Sequence, residues 1–189
     1  VARQGLTGIL LVGGASQRFG SPKALARLGG ETLAERGWRT LGEACEYRLA
    51  VGKAADALQL PFPVLDDGSE VQAPMVGLIA GLEAAPTDLC VVLPVDCPRV
   101  TPGLLRELAG ACRDVARPQR GPLPGAYRRS ALPALRDGGL AIHRAIARLD
   151  VAVLDVDPEL LVNVNTPEEL AELEQHPPDG GRSGSAPRR

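Results

Sequence analysis

The chain has 189 residues, 44% of them hydrophobic and 23% charged, which is enough for one well-cored α/β domain and too little for two. A formal net charge of −2 excludes bulk attraction to nucleic acid or an anionic membrane, and an aromatic content of 3% leaves few platforms for stacking single-stranded bases. No apolar run approaches about 18 residues and no charged-then-apolar leader opens the sequence, so neither a membrane span nor a signal peptide is expected.

Four cysteines, Cys45, Cys90, Cys97 and Cys112, form no C-x-x-C pair and have no histidine at zinc spacing. They are expected to be reduced and mostly buried, as in a cytoplasmic protein.

The first strong element is Ile9 to Val12, four consecutive aliphatic residues preceded by Gly8 and followed by Gly13 and Gly14. Such a run is too short for a helix and suits a strand buried on both faces of a parallel sheet. The glycines that end it let backbone N–H groups approach an anion closely, and Arg18 and Lys23 add positive charge to the same loop. The implied ligand is a polyphosphate. Spacing excludes two familiar phosphate motifs. Five residues separate Gly14 from Gly20 and the lysine comes three later, so this is not a P-loop, and no choice among Gly13, Gly14 and Gly20 gives G-x-G-x-x-G.

Downstream, the spacing of Leu33, Gly37, Leu41 and Cys45 predicts a helix from about Thr32 to Ala44, with Trp38 packing beside its apolar face. Tyr47 to Val51 reads as a second strand and Ala54 to Leu58 as a short helix. Val64-Leu65 reads as a third strand that finishes on Asp66-Asp67-Gly68, at the end of the sheet where open α/β folds bind ligands. Met75 to Ala85 should be a helix whose Gly77 and Gly81 permit close approach to a sheet or a ligand. Leu89 to Asp96, the most apolar run, should be a central strand with a bulge or a missing ladder bond at Pro94. Thr101-Pro102 supplies the N-cap and first residue of the next helix.

The stretch from Val115 to Gly125, with three prolines and two glycines, gives no clear periodicity. Tyr127 to Leu135 and Leu140 to Leu149 read as a broken helical pair that holds His143 in a partly buried structural position. Val151 to Val156 reads as a strand and Leu161 to Asn165 as a short one. Thr166-Pro-Glu-Glu169 forms a capping box for a last helix. A domain over residues 1–175 and a disordered tail over 176–189 are therefore expected. With only two histidines, His143 and the tail's His176, no hydrolase triad can be assembled.

Asp96 is the outstanding carboxylate. It ends an apolar strand, where a charge is costly unless it is solvated, paired or bound to a metal. Together with this residue, the motif L-V-G-G-x-S-x-R-F-G-x-x-K-A-L over Leu11 to Leu25 resembles the nucleotidyltransferases that build nucleotide sugars and dinucleotide cofactors, and among them most of all the molybdenum cofactor guanylyltransferases. The likeness runs from Gly8 to about Leu173. It implies a three-layer, Rossmann-like nucleotidyltransferase fold with a mostly parallel central sheet flanked by helices. It also implies transfer of GMP from GTP to the phosphate of molybdenum-molybdopterin with release of pyrophosphate.

Carried over position by position, the resemblance gives Leu11, Val12, Gly13 and Gly14 to the nucleotide and Lys23 and Arg18 to its phosphates. Asp96, in Asp96-Cys97-Pro98, matches the family's Mg²⁺-holding D-x-P. Asp66 or Asp67, with Asp67 favoured, matches the acidic residue that reads guanine, and Asn163 and Asn165 match the turn on the pterin side. Partners implied are GTP, molybdopterin or its molybdenum form, and cofactor-delivery proteins.

Two departures carry consequences. Pro22 replaces an aspartate frequent before the loop lysine, and Ala73 replaces a glycine ahead of Pro-Met-Val-Gly. Ala73 bears on base recognition and keeps a cytidylyltransferase of the same family, or another NTP-dependent nucleotidyltransferase, as an alternative, although Asp96-Cys97-Pro98 leans away from the D-Q-P typical of the former. Both departures together keep a noncatalytic nucleotide-binding or cofactor-chaperone protein as an alternative of another class.

Overall fold

A computed structural model describes residues 3–13 and 22–176. Gly14, Arg18 and the expected tail beyond His176 lie outside the described residues.

Strand β1 (Arg3–Leu11) contains the aliphatic run and pairs in parallel with β4 (Tyr47–Gly52) on one side and β6 (Thr87–Pro94) on the other. Two short strands, β2 (Arg27–Leu28) and β3 (Glu31–Thr32), form a separate hairpin. With β5 (Val64–Asp66), β7 (Val115–Pro118), β8 (Gly125–Arg128) and β9 (Val151–Leu154), the main sheet has seven strands in the order β5-β4-β1-β6-β8-β7-β9. Among the described strands of this sheet, only β8 runs antiparallel to its neighbours. The sheet is mostly parallel, as expected.

Alternation along β1 explains the layers. Leu10 and Val12 face one hydrophobic cluster, shared with Leu33, Leu41, Leu105 and Leu108. Ile9 and Leu11 face the other, shared with Met75, Leu78, Leu82, Tyr127 and Leu135. Helices α1 (Leu33–Ala44) and α3 (Pro102–Ala111) therefore cover one face, and α2 (Pro74–Ala84), α4 (Leu132–Asp137) and α5 (Ile142–Ala145) cover the other. This is the three-layer arrangement that a strand buried on both sides requires.

Local signals account for the boundaries. Thr32 and Glu35 cap α1 reciprocally, and Thr101 accepts from the Leu104 N–H to open α3. Gly81 lets α2 lie on the sheet, since a Cβ there would stand 2.6 Å from Ile9 Cγ2. Trp38 stacks on Phe62 with ring centroids 4.2 Å apart and carries Arg48 over its other face, the packing role expected of it.

Several sequence readings need correction. Tyr127 belongs to β8 and not to a helix; its wholly buried ring packs in the second cluster, and helical structure starts only at Arg129. The unplaced stretch holds β7 and the loop into β8, whose prolines and glycines obscured two strands of four residues. Residues 162–165 are not a strand. Leu161 instead ends a 3-10 turn, Pro158–Leu161, and the Val164 N–H makes a single bond to the Asp96 carbonyl at 2.9 Å. The helix after β4 shrinks to Ala54–Asp56. His143 is exposed, because Ile142, Ala145 and Ile146 occupy the inner face of its short helix.

Pro94 causes no bulge. It is the last residue of β6, opposite Leu11, so its missing donor falls where the ladder stops. In α6 (Pro167–Gln175), Thr166 accepts from the Glu169 N–H as expected, whereas the Glu169 carboxylate reaches past the cap to the Asn165 N–H. Of the cysteines, Cys90, Cys97 and Cys112 are buried and Cys45 half-buried, all four as free thiols.

Candidate active site

The chain leaves β1 at the centre of the sheet, builds outward to β4 and β5, and returns to β6 on the other side of β1. The carboxyl ends of β1 and β6 thus flank a topological switch point, where parallel sheets leave a crevice. A cavity of about 410 Å³ opens there, with Leu11, Val12, Gly13, Lys23, Asp67, Asp96 and Asn163 in its wall. Seven of the residues singled out from sequence are therefore brought together.

Its floor is backbone. Gly13 after β1 and Gly52 at the end of β4 lie so close that a Cβ on Gly13 would stand 3.3 Å from the Gly52 Cα. A Cβ on Gly52 would in turn stand 2.9 Å from Val12 Cγ2, so the two glycines let the ends of β1 and β4 close up beneath the cavity.

On the β1–β6 side, Lys23 Nζ lies 3.4 Å from Asp96 Oδ2 and 3.3 Å from Asn165 Oδ1. Lys23 stands at the start of a 3-10 turn, Lys23–Leu25, whose Ala24 is buried in the core and anchors the turn. Asp96 follows β6, and the bond from the Val164 N–H to its carbonyl brings residues 163–165 alongside. Cys97 Sγ contacts Asn163 Oδ1 at 3.0 Å; burial pushes this thiol well above the ordinary range, assisted by the adjacent Asp96 charge. A cationic group, a carboxylate and two amides thus converge around one end of the cavity.

At the other end, β4 and β5 separate the two candidate acids. Asp66 is exposed and accepts from the Ala54 N–H at 3.1 Å, capping the turn after β4 outside the cavity. Asp67 turns inward. Its oxygens lie 2.8 and 2.7 Å from Lys53 Nζ, and Oδ1 also accepts from the Ser69 N–H at 3.0 Å. Gln72 and Ala73, at the start of α2, complete this wall.

Lys53 was missed in the sequence. A single lysine after a strand ordinarily marks a solvated strand end, and its partner is 14 residues away. The one available signal was its place directly after Gly52, at the carboxyl end of a strand predicted to be parallel.

A mostly parallel sheet, a glycine floor at the switch point and a lysine–aspartate contact beside it define a nucleotide-handling transferase site. Residues 8–152 match the MobA-like NTP transferase domain, and the chain belongs to that family.

Among curated relatives, a "Probable molybdenum cofactor guanylyltransferase" from Chloroflexus aggregans is 35% identical, over 87% of this chain and 91% of that protein. One of the same name from Deinococcus radiodurans is 33% identical, over 89% and 93%. Among solved structures, the molybdopterin-guanine dinucleotide biosynthesis protein A from Archaeoglobus fulgidus superposes with a TM-score of 0.75 at 25% identity, covering 89% of this chain and 97% of that one.

Proposed function

We propose that the protein transfers GMP from GTP to the terminal phosphate of molybdenum-molybdopterin, releasing pyrophosphate. The observation that carries this reading is the meeting of Lys23, Asp96 and Asn165 at one end of the cavity, with Asp67 facing in at the other. The names of the relatives support the choice of guanine and of the pterin acceptor.

In this reading the nucleotide lies over Leu11, Val12 and the glycines that follow, and Lys23 offsets the charge that develops on its phosphates. Arg18, outside the described residues, joins it on the strength of the loop motif. The acceptor phosphate attacks the α-phosphorus in line; the new P–O bond forms as the bond to pyrophosphate breaks. No protein base is needed, because the second proton of a phosphate monoester is lost near pH ~6. Asn163 and Asn165 present amides to the acceptor side.

A divalent cation fits Asp96. Its carboxylate is a hard oxygen ligand that meets Lys23 at 3.4 Å and the Cys97 thiol at 3.6 Å, and no group of three or more His, Cys, Asp or Glu side chains among the described residues could cage a metal alone. One carboxylate completed by substrate phosphates and water is the usual Mg²⁺ arrangement at nucleotide sites. When bound, Mg²⁺ would neutralise phosphate charge and align the leaving pyrophosphate. The four free thiols support action in the reducing cytoplasm.

The test is pyrophosphate release with molybdenum-molybdopterin and, in turn, GTP, CTP and ATP in the presence of Mg²⁺. Preference for GTP is expected. Preference for CTP makes the protein a cytidylyltransferase, and GTP binding without release makes it a noncatalytic carrier.

A further inference from the structure

Lys53 is nearly enclosed, with a side chain 7% exposed, and its ammonium meets three oxygens: both of Asp67 and the Ser69 carbonyl at 2.7 Å. A lysine has three N–H donors, and because the two Asp67 oxygens belong to one carboxylate and can share a single N–H, one donor is left for an acceptor in the cavity. The Asp67 loop is tied to the same strand end, since the Asp67 N–H donates to the Gly52 carbonyl at 2.9 Å. Burying such a pair stabilises a fold little compared with apolar residues of the same volume. Here it lines the cavity and belongs to neither hydrophobic cluster.

Strand order fixes which part of a nucleotide would meet it. Asp96 follows β6 and holds Lys23 beside it, whereas Lys53 and Asp67 follow β4 and β5, two and three strands from β6. At about 4.8 Å per strand the separation is roughly 10–15 Å, the span from the α-phosphate of a nucleotide to the edge of its base. With phosphates at the first pair, the base reaches the second.

The acceptor count is informative. Asp67 Oδ1 takes Lys53 and the Ser69 N–H, while Oδ2 takes Lys53 alone and keeps one lone pair open. An N–H of the base fits there, with the ammonium beside it. Guanine offers a carbonyl oxygen, O6, next to its N1–H and 2-amino donors; adenine puts an amine where O6 would be and so meets a cation with a donor.

We propose that Lys53 is a base-reading residue of this site: its ammonium faces guanine O6 while Asp67 Oδ2 accepts one N–H of the 2-amino group, so that the ion pair selects the base. This rests on the guanylyl-transfer reading above.

The test uses triphosphates that differ by one group: GTP, inosine triphosphate, which lacks the 2-amino group, and 6-thioguanosine triphosphate, which keeps N1–H and the 2-amino group but carries sulfur, a weak acceptor, in place of O6. Binding with Mg²⁺ is measured by calorimetry for the wild type, for Lys53→Met, and for a Lys53→Met, Asp67→Leu double variant that leaves no buried charge unpaired. The wild type should favour GTP over the 6-thio nucleotide by at least ~10-fold, as expected of a site built to bond that oxygen. Lys53→Met should shrink that gap to about twofold while the gap between GTP and inosine triphosphate persists. The double variant should lose both gaps and bind all three alike through their phosphates.

An unchanged O6 gap in Lys53→Met, equal weakening of all three nucleotides, absence of the gap in the wild type, or survival of either gap in the double variant would overturn the proposal. If CTP or ATP outcompetes GTP in the wild type, the guanylyl reading itself fails. If GTP stays preferred and Lys53→Met keeps the full gap, only the role of Lys53 fails.

Discussion

The Cys97 thiol lies 3.0 Å from Asn163 Oδ1, so that the residue next to the Asp96 carboxylate also orients an amide at the same end of the cavity. A thiol that donates to the carbonyl oxygen of an amide turns its NH₂ group the other way, as a donor for whatever binds beside it. Cys97→Ala should raise the KM for the molybdopterin acceptor several-fold and leave the KM for GTP unchanged, and Cys97→Ser should restore the wild-type value. Steady-state kinetics with each substrate varied in turn decides this. A parallel rise in both KM values would instead assign Cys97 to packing alone.

The juxtaposition of Lys23 and Asp96 makes a stronger demand. Lys23→Ala and Asp96→Ala should each lower turnover by at least ~10²-fold, the usual cost of losing one preorganised charge contact at a transition state. Chelation with EDTA should abolish pyrophosphate release, and added Mg²⁺ should restore it. Wild-type rates in both variants would remove Lys23 and Asp96 from the reaction.

Much of this architecture was legible because its signals are local. A four-residue aliphatic run between glycines suits a strand buried on both faces, and Thr101-Pro102 supplies the N-cap and first residue of a helix. Asp96 stood out because an apolar strand offers a carboxylate no solvent. What stayed hidden depends on partners far along the chain. Val162 and Val164 alternate as a strand would, yet only Val164 is buried, and its N–H serves the Asp96 backbone and no ladder. Tyr127 reads as helical until β6 and β7 flank it. Lys53 is unremarkable until the Asp67 loop folds over it.

Helix α2 rests on the sheet through Gly81, and its replacement reports on that contact. Ile9 is wholly buried and β-branched, so its Cγ2 cannot swing away from a new Cβ 2.6 Å distant. Gly81→Ala should destabilise the protein by about 1–2 kcal/mol, the overpacking strain exceeding the gain in helix propensity. Urea denaturation measures it, and a stabilised variant would show that α2 can lift without cost.

Asp66 and Asp67 are adjacent in sequence and opposite in circumstance, so their alanine variants should separate cleanly. Asp66→Ala removes one exposed bond to the Ala54 N–H and should cost no more than about 1 kcal/mol, with nucleotide preference intact. Asp67→Ala leaves the Lys53 ammonium buried with only the Ser69 carbonyl, and breaking a buried pair from one side costs about 3–5 kcal/mol. It should also narrow the preference for GTP over CTP and ATP more than it weakens triphosphate binding, because the phosphate end of the cavity is untouched. The Lys53→Met, Asp67→Leu double variant should recover most of the lost stability and none of the lost selectivity, since it removes the unpaired charge without rebuilding the base contact. Chemical denaturation and nucleotide competition on the same preparations give both readouts. If selectivity fell with Asp66→Ala and held with Asp67→Ala, the base would be read outside the cavity wall, and the ion pair would be no part of it.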